Sequence, residues 1–102
     1  MYGAFWHAVA KPGKKQELLG FLEWDAQVAG EKEPGTVSFD VYEDTENVDA
    51  IYVYESYRDA AAFAEHRANE PFQKFFPGGL RNELVGELKI IAAFSDSVVS
   101  KS

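Results

Sequence analysis

The feature that most constrains this chain is a repeated change of hydrophobic period, from strand-like to helix-like and back, within 102 residues. Tyr2 to Ala10 has the length of a strand, with Phe5, His7 and Val9 on one side and Ala4, Trp6 and Ala8 on the other. Lys11-Pro12-Gly13 breaks it. From Lys14 to about Ala29, Leu18, Phe21, Leu22 and Ala26 follow the i, i+3, i+4 rule and predict an amphipathic helix, which Gly30 is expected to stop as a left-handed cap. Glu33-Pro34-Gly35 reads as a turn. Thr36 to Glu43 and Ile51 to Tyr57 then alternate and predict an antiparallel hairpin. Asp59 caps a helix that runs to about Ala68. Pro71 suits the first turn of a further short helix, where Phe72, Phe75 and Phe76 share a face. Pro77-Gly78-Gly79 ends that helix, and a last strand is expected from Leu84 to Phe94. Residues 1–95 form one expected domain and 96–102 a flexible tail.

The resulting order, β-α-β-β-α-β, predicts an α+β fold of ferredoxin-like type: a four-stranded antiparallel sheet with both helices on one side. Both sides of the strands carry apolar or aromatic residues, including Ile51 and Val53 against Tyr52 and Tyr54, and Leu88 and Ile90 against Val85 and Ile91. Helices on one side leave the other uncovered, and a second copy meeting it about a twofold axis would bury it. A homodimer is the expected state. Phe, Tyr and Trp make up 15% of the residues, more than a small core needs, so some rings are expected to line a cavity or an interface.

Composition excludes several classes of chemistry. Without cysteine there are no disulfides, thiol nucleophiles, iron–sulfur clusters or thiolate zinc sites. A net charge of −7 argues against nucleic acid as a partner, and the small basic cluster at Lys11, Lys14 and Lys15 reads as a solvated loop. No apolar run approaches the roughly 20 residues that span a bilayer, and Met1 to Ala10 is too short and too polar for a signal-peptide core. No membrane association is expected, and the expected location is the cytoplasm. Phosphate-binding loops and dinucleotide fingerprints are not found.

Four segments resemble a known family in order and spacing. Lys11-Pro12-Gly13-Lys14 matches its first-strand exit. Glu33-Pro34-Gly35-Thr36 with Phe39-Asp40-Val41-Tyr42 matches the start of its second strand. Tyr54-Glu55-Ser56-Tyr57 with Ala62-Phe63 and His66, and then Pro71-Phe72, match the remainder. By these motifs, from about Phe5 to Phe94, the chain resembles the antibiotic biosynthesis monooxygenase (ABM)-like domains of the dimeric α+β barrel group. The family includes cofactor-independent oxygenases of quinols and polycyclic phenols, haem degraders, and enzymes acting on autoinducer-2 phosphate, so the resemblance implies a fold and a pocket before a reaction. The Asn–Trp–His set of the haem degraders is not reproduced, since the Trp position corresponds to His66 and the expected His falls at Phe76.

His66 follows Phe63 by one helical turn and is the candidate base, since an imidazole can take a proton from a phenol or an enediol. Glu55 lies among apolar neighbours and needs a partner, for which Arg, Lys or a backbone donor is expected. Trp6 and His7 point to opposite sides. The more hydrophobic company of Phe5 and Val9 suggests that His7 faces the helices. Two histidines without a third ligand make a weak metal site, so no metal is expected. Trp24, Phe72, Phe75 and Phe76 are candidate walls for a flat aromatic substrate.

The resemblance implies a cofactor-free monooxygenase of a phenol or hydroquinone. His66 is then the base, and His7, Tyr42, Tyr54, Glu55, Phe63, Phe72 and Phe76 bind substrate, with no cofactor. A second reading is an isomerase of a small carbonyl compound such as autoinducer-2 phosphate, with Lys11, Lys14, Lys15 and Arg67 available for the phosphate. A third is a non-catalytic stress-response dimer.

Overall fold

A computed structural model describes residues 1–99 and 101; Ser100 and Ser102, within the expected tail, lie outside the described residues. The elements run β1 (Tyr2–Ala10), α1 (Lys15–Lys32), β2 (Thr36–Glu43), β3 (Ala50–Tyr57), α2 (Ala60–Ala68), α3 (Glu70–Phe75), α4 (Leu80–Leu84) and β4 (Val85–Phe94). The strands form one antiparallel sheet in the order β2-β3-β1-β4. This is the expected ferredoxin-like arrangement, with α3 and α4 added before the last strand.

Local chemistry accounts for most element ends. Asp59 accepts the Ala62 amide at 2.8 Å and caps α2. Pro71 sits in the first turn of α3, where its missing N–H costs nothing. Gly30 does not stop α1. The helix runs through it to Lys32, its end closed by the Glu33 amide on the Ala29 carbonyl, and Pro34 then has no amide to continue the ladder. The unexpected α4 starts at Gly79, whose φ of 84° only glycine adopts without strain. Leu84 therefore closes a helix instead of opening the strand, and it is buried.

The core lies between the sheet and α1, with α3 and α4 closing one side. Trp6, Ala8 and Ala10 of β1 and Ile51 and Val53 of β3 pack with Leu18, Phe21 and Leu22 of α1, Phe75 of α3 and Leu84. Leu18, Leu22 and Ile51 are essentially inaccessible, each contributing about 1.5–3 kcal/mol by burial. His7 does not face the helices: Trp6, Ala8 and Ala10 do. Hydrophobicity misled here because this core takes small residues on β1, where Ala8 and Ala10 are fully enclosed.

The turn before β2 fixes where α2 lies. A Cβ on Gly35 would stand 2.4 Å from the Cβ of Ala62, so only glycine allows this approach. The Arg58 amide, ahead of α2, bonds the Gly35 carbonyl at 2.8 Å. Glu33 is thereby brought against His66.

Among the described residues no helix lies on the opposite side of the sheet. Phe5 stacks on Tyr52 with centroids 5.5 Å apart, His7 tilts against Tyr52 at 4.7 Å, and Tyr54 stacks on Phe94 at 6.4 Å. Phe94 also covers Gly3, leaving no room for a Cβ there. Both sides of the sheet are thus rich in large side chains, as expected.

Candidate active site

A cavity of about 190 Å³ opens between the helices and the β1–β4 half of the sheet. Its walls are mostly rings: Trp6, Phe21, Phe63, Phe72, Phe75 and Phe76, with Leu88 and Ile90 from β4. Its polar groups are Asp25, Glu55 and His66. Phe76 and Ile90 remain substantially exposed, so the cavity opens to solvent on their side.

His66 is 3% exposed and held from one side. Its Nδ1 lies 2.9 Å from Oε1 of Glu33. The same carboxylate accepts Thr36 Oγ1 at 2.8 Å and Asn69 Nδ2 at 2.7 Å. Burial pushes the Glu33 carboxyl up, but the donors Asn69, Thr36 and His66 outweigh it, and the group sits below the ordinary carboxylate range. An ionised carboxylate can only accept, so the ring must carry its proton on Nδ1. In the neutral imidazole Nε2 then keeps its lone pair. That atom is 4.0 Å from Oε1 of Glu55, beyond hydrogen-bond reach. Phe72 meets the ring edge-on at 6.0 Å, and Tyr57 tilts against it at 5.2 Å.

Glu55 finds its partners in neutral donors, not in the expected Arg, Lys or backbone amide. Trp6 Nε1 donates to Oε2 at 2.7 Å and Tyr57 Oη to Oε1 at 2.6 Å. Burial, and then the Glu55 charge, push the Tyr57 hydroxyl upward, so it stays a donor. With both oxygens engaged, Glu55 is held in place in the wall.

Asp25 differs from both. It sits on the buried stripe of α1 with Leu18, Phe21, Leu22 and Ala29 and is 6% exposed. Its Oδ1 has no hydrogen-bond partner among the described residues. Burial, helped by the charges of Glu55 and Glu33 and opposed by His66, pushes its carboxyl up to about 7. Near neutrality the cavity thus holds, beside the His66 ring, a carboxyl that is half in its acid form.

Of the residues expected from sequence, His66, Glu55, Phe63, Phe72 and Phe76 meet at this cavity, and Phe75 joins them. His7, Tyr42 and Tyr54 do not. Cross-strand register pairs His7 and Tyr42 with Tyr52 and sets Tyr54 beside Phe5, all on the opposite side of the sheet, where Tyr42 is 53% exposed. Trp24 packs edge-on against Phe21, under the Lys74 ammonium, outside the lining. Sequence reasoning missed Asp25 and the role of Glu33. Among the described residues no three His, Asp or Glu side chains are placed to hold a metal ion, and no helix is long and apolar enough to cross a membrane.

Comparison with solved structures finds the same fold at low identity. A candidate antibiotic biosynthesis monooxygenase from Nitrosomonas europaea shares 16% identity, with 98% of this chain and 93% of that chain covered and a TM-score of 0.80. A second, from Deinococcus radiodurans, shares 20%, covering 100% and 98%, at 0.79. A third, from Bacteroides thetaiotaomicron, shares 22%, covering 99% and 95%, also at 0.79. These likenesses show the fold alone. A search of curated proteins gave no match. The family model for antibiotic biosynthesis monooxygenase matches residues 1–78, which include Asp25, Glu33, Glu55 and His66, and the chain therefore belongs to that family.

Proposed function

We propose that the protein is a cofactor-independent monooxygenase acting on a small phenol or hydroquinone, with His66 as the base. The Glu33–His66 pair beside an aromatic-walled cavity carries this reading. A phenol entering past Phe76 places its hydroxyl at Nε2, and the imidazole takes the proton while Glu33 steadies the cation that forms. The phenolate passes one electron to dioxygen, and the radical pair joins at a ring carbon. Loss of water from the resulting hydroperoxide gives a quinone. One dioxygen atom stays on the ring, and the other leaves with the two hydrogens removed. The protein supplies orientation, a base and exclusion of water.

Size supports a single ring: an engineered cavity of about 150 Å³ holds benzene, and this one is about 190 Å³. Charge argues against the phosphorylated substrate of the isomerase reading, because among the described residues no Lys or Arg lines the cavity. Lys14 and Lys15 pair with Glu17 and Glu43, Lys11 reaches the Asn82 carbonyl, and Arg67 lies over the Phe63 ring. A sealed cavity with both histidines bonded to backbone would favour the non-catalytic dimer, whereas His66 is bonded to a carboxylate and the cavity opens to solvent.

The uncovered side of the sheet, with Phe5, Tyr52, Tyr54 and Phe94, supports a homodimer that closes two sheets into an α+β barrel. A cytoplasmic location is part of the same reading. The test is oxygen uptake with a hydroquinone panel. Uptake above the buffer rate that vanishes in His66→Ala is expected, and equal uptake by the two proteins would overturn the assignment.

A further inference from the structure

We propose that Asp25 binds substrate directly, donating a hydrogen bond from its carboxylic acid to a second oxygen on a one-ring phenol whose first hydroxyl meets His66. This rests on the reading above and adds to it a second polar contact, one that selects a ring with two oxygens over a ring with one.

The observation is an unmatched polar group in an apolar site. Asp25 is buried, lines the cavity and, among the described residues, leaves Oδ1 without a partner, whereas each carboxylate oxygen of Glu33 and of Glu55 accepts a hydrogen bond. Buried polar groups left unpaired are costly and uncommon, and a residue that carries one in the wall of a ligand-sized space is a candidate contact for what enters that space. Among the described residues the charged or titratable groups acting on it are His66 from α2, Glu55 and Tyr57 from β3, and Glu33 at the end of α1. Burial comes first, and the charges of Glu55 and Glu33 add to it against that of His66, so Asp25 holds its proton on the acid side of neutrality and donates.

The same acidic surroundings repel carboxylate and phosphate ligands. Among the described residues the neutral donor of the wall near them, the Trp6 indole, is already committed to Glu55. Both Glu55 oxygens already accept a hydrogen bond, so a ligand oxygen distant from His66 and in need of a donor has Asp25 as its polar contact. A phenol with one oxygen leaves that contact unmade, and a dihydroxybenzene makes both.

The test is anaerobic calorimetric titration at pH 6 with phenol, catechol, resorcinol and hydroquinone. The three isomers differ in oxygen-to-oxygen span, so the one that bridges Asp25 and His66 identifies itself. The best isomer is expected to bind the wild type about tenfold more tightly than phenol, the effect of one buried hydrogen bond. Asp25→Asn retains a donor and should keep much of that preference, while Asp25→Leu should reduce it to about one with phenol affinity held or improved. An isomer-to-phenol ratio equal in wild type and Asp25→Leu overturns the proposal, as it would if Asp25 bonded only a resident water. Equal ratios together with His66-dependent oxygen uptake defeat the role of Asp25 alone. No binding of any of the four defeats both readings. Selective binding without oxygen uptake defeats the monooxygenase reading and leaves Asp25 as a binding residue.

Discussion

Replacing Asp25 by asparagine should change how stability depends on pH, and the size follows from the burial of the group. An ordinary Asp carboxyl ionises near 3.8, and in the fold this one is pushed up to about 7 by burial. Between those values the native state holds a proton that the unfolded chain releases, so stability falls as pH rises through the window and levels off above about 7. The gap corresponds to about 4 kcal/mol at its full extent. The asparagine side chain does not titrate. Its amide leaves unmatched polar atoms at every pH, a constant offset of about 1–3 kcal/mol that cancels when one pH is compared with another. Urea unfolding of both proteins at fixed concentration, from pH 4 to pH 8, measures the difference. The stability of Asp25→Asn relative to wild type should improve by about 4 kcal/mol across that range. A relative stability unchanged with pH would refute the claim that Asp25 is buried and forced toward its acid form.

Glu33 titrates with the opposite sign. Its folded carboxyl lies below the ordinary range, so its contribution is complete above about 4.5 and is lost as pH falls through the lower folded value. Glu33→Ala strips His66, Asn69 and Thr36 of an acceptor, and should cost about 3–5 kcal/mol in urea unfolding at pH 7 and most of the oxygen uptake. Trp6→Phe keeps a ring in the wall but removes the 2.7 Å bond to Glu55, and should cost about 1.5–3 kcal/mol by the same assay. Gly35→Ala places a methyl 2.4 Å from Ala62, so α2 must shift; a destabilisation of about 1–3 kcal/mol and loss of uptake are expected, and full activity would show that α2 need not sit where Gly35 allows. Tyr54→Asp, on the side away from the cavity, should yield monomers in sedimentation at micromolar concentration, and an unaltered dimer would place the interface elsewhere.

The fold was legible because period and punctuation agreed. Thr36 to Glu43 alternates cleanly and forms β2 with those ends, and Asp59 and Pro71 mark the helix starts they were expected to mark. The two sides of β1 were not legible. When both sides of a strand are apolar, alternation separates two sets but does not say which one the helices cover, and close packing at Ala8 and Ala10 reversed the hydrophobic ranking that favoured His7.

The site was half legible. His66 and the Phe residues follow helical spacing and a family motif, but Asp25 was hidden by its own charge. Phe21, Leu22 and Ala29 stand four, three and four residues from it along the buried stripe of α1, so helical spacing placed it inside. A reading that collects apolar letters takes Ala26 and passes over the carboxylate beside it. A carboxylate on an apolar stripe was the signal available. Glu33 was hidden differently. Its place in Glu33-Pro34-Gly35 says turn, and nothing local says that the turn meets a histidine 33 positions later.

The orientation of His66 can be measured directly by nitrogen-15 NMR of the imidazole, before and after anaerobic addition of hydroquinone. The proton should reside on Nδ1 against Glu33, with Nε2 bare, and hydroquinone should perturb Nε2 while the Nδ1 proton stays in place. A proton on Nε2 in the free protein, or two nitrogens indifferent to hydroquinone, would contradict the assignment of His66 as the base.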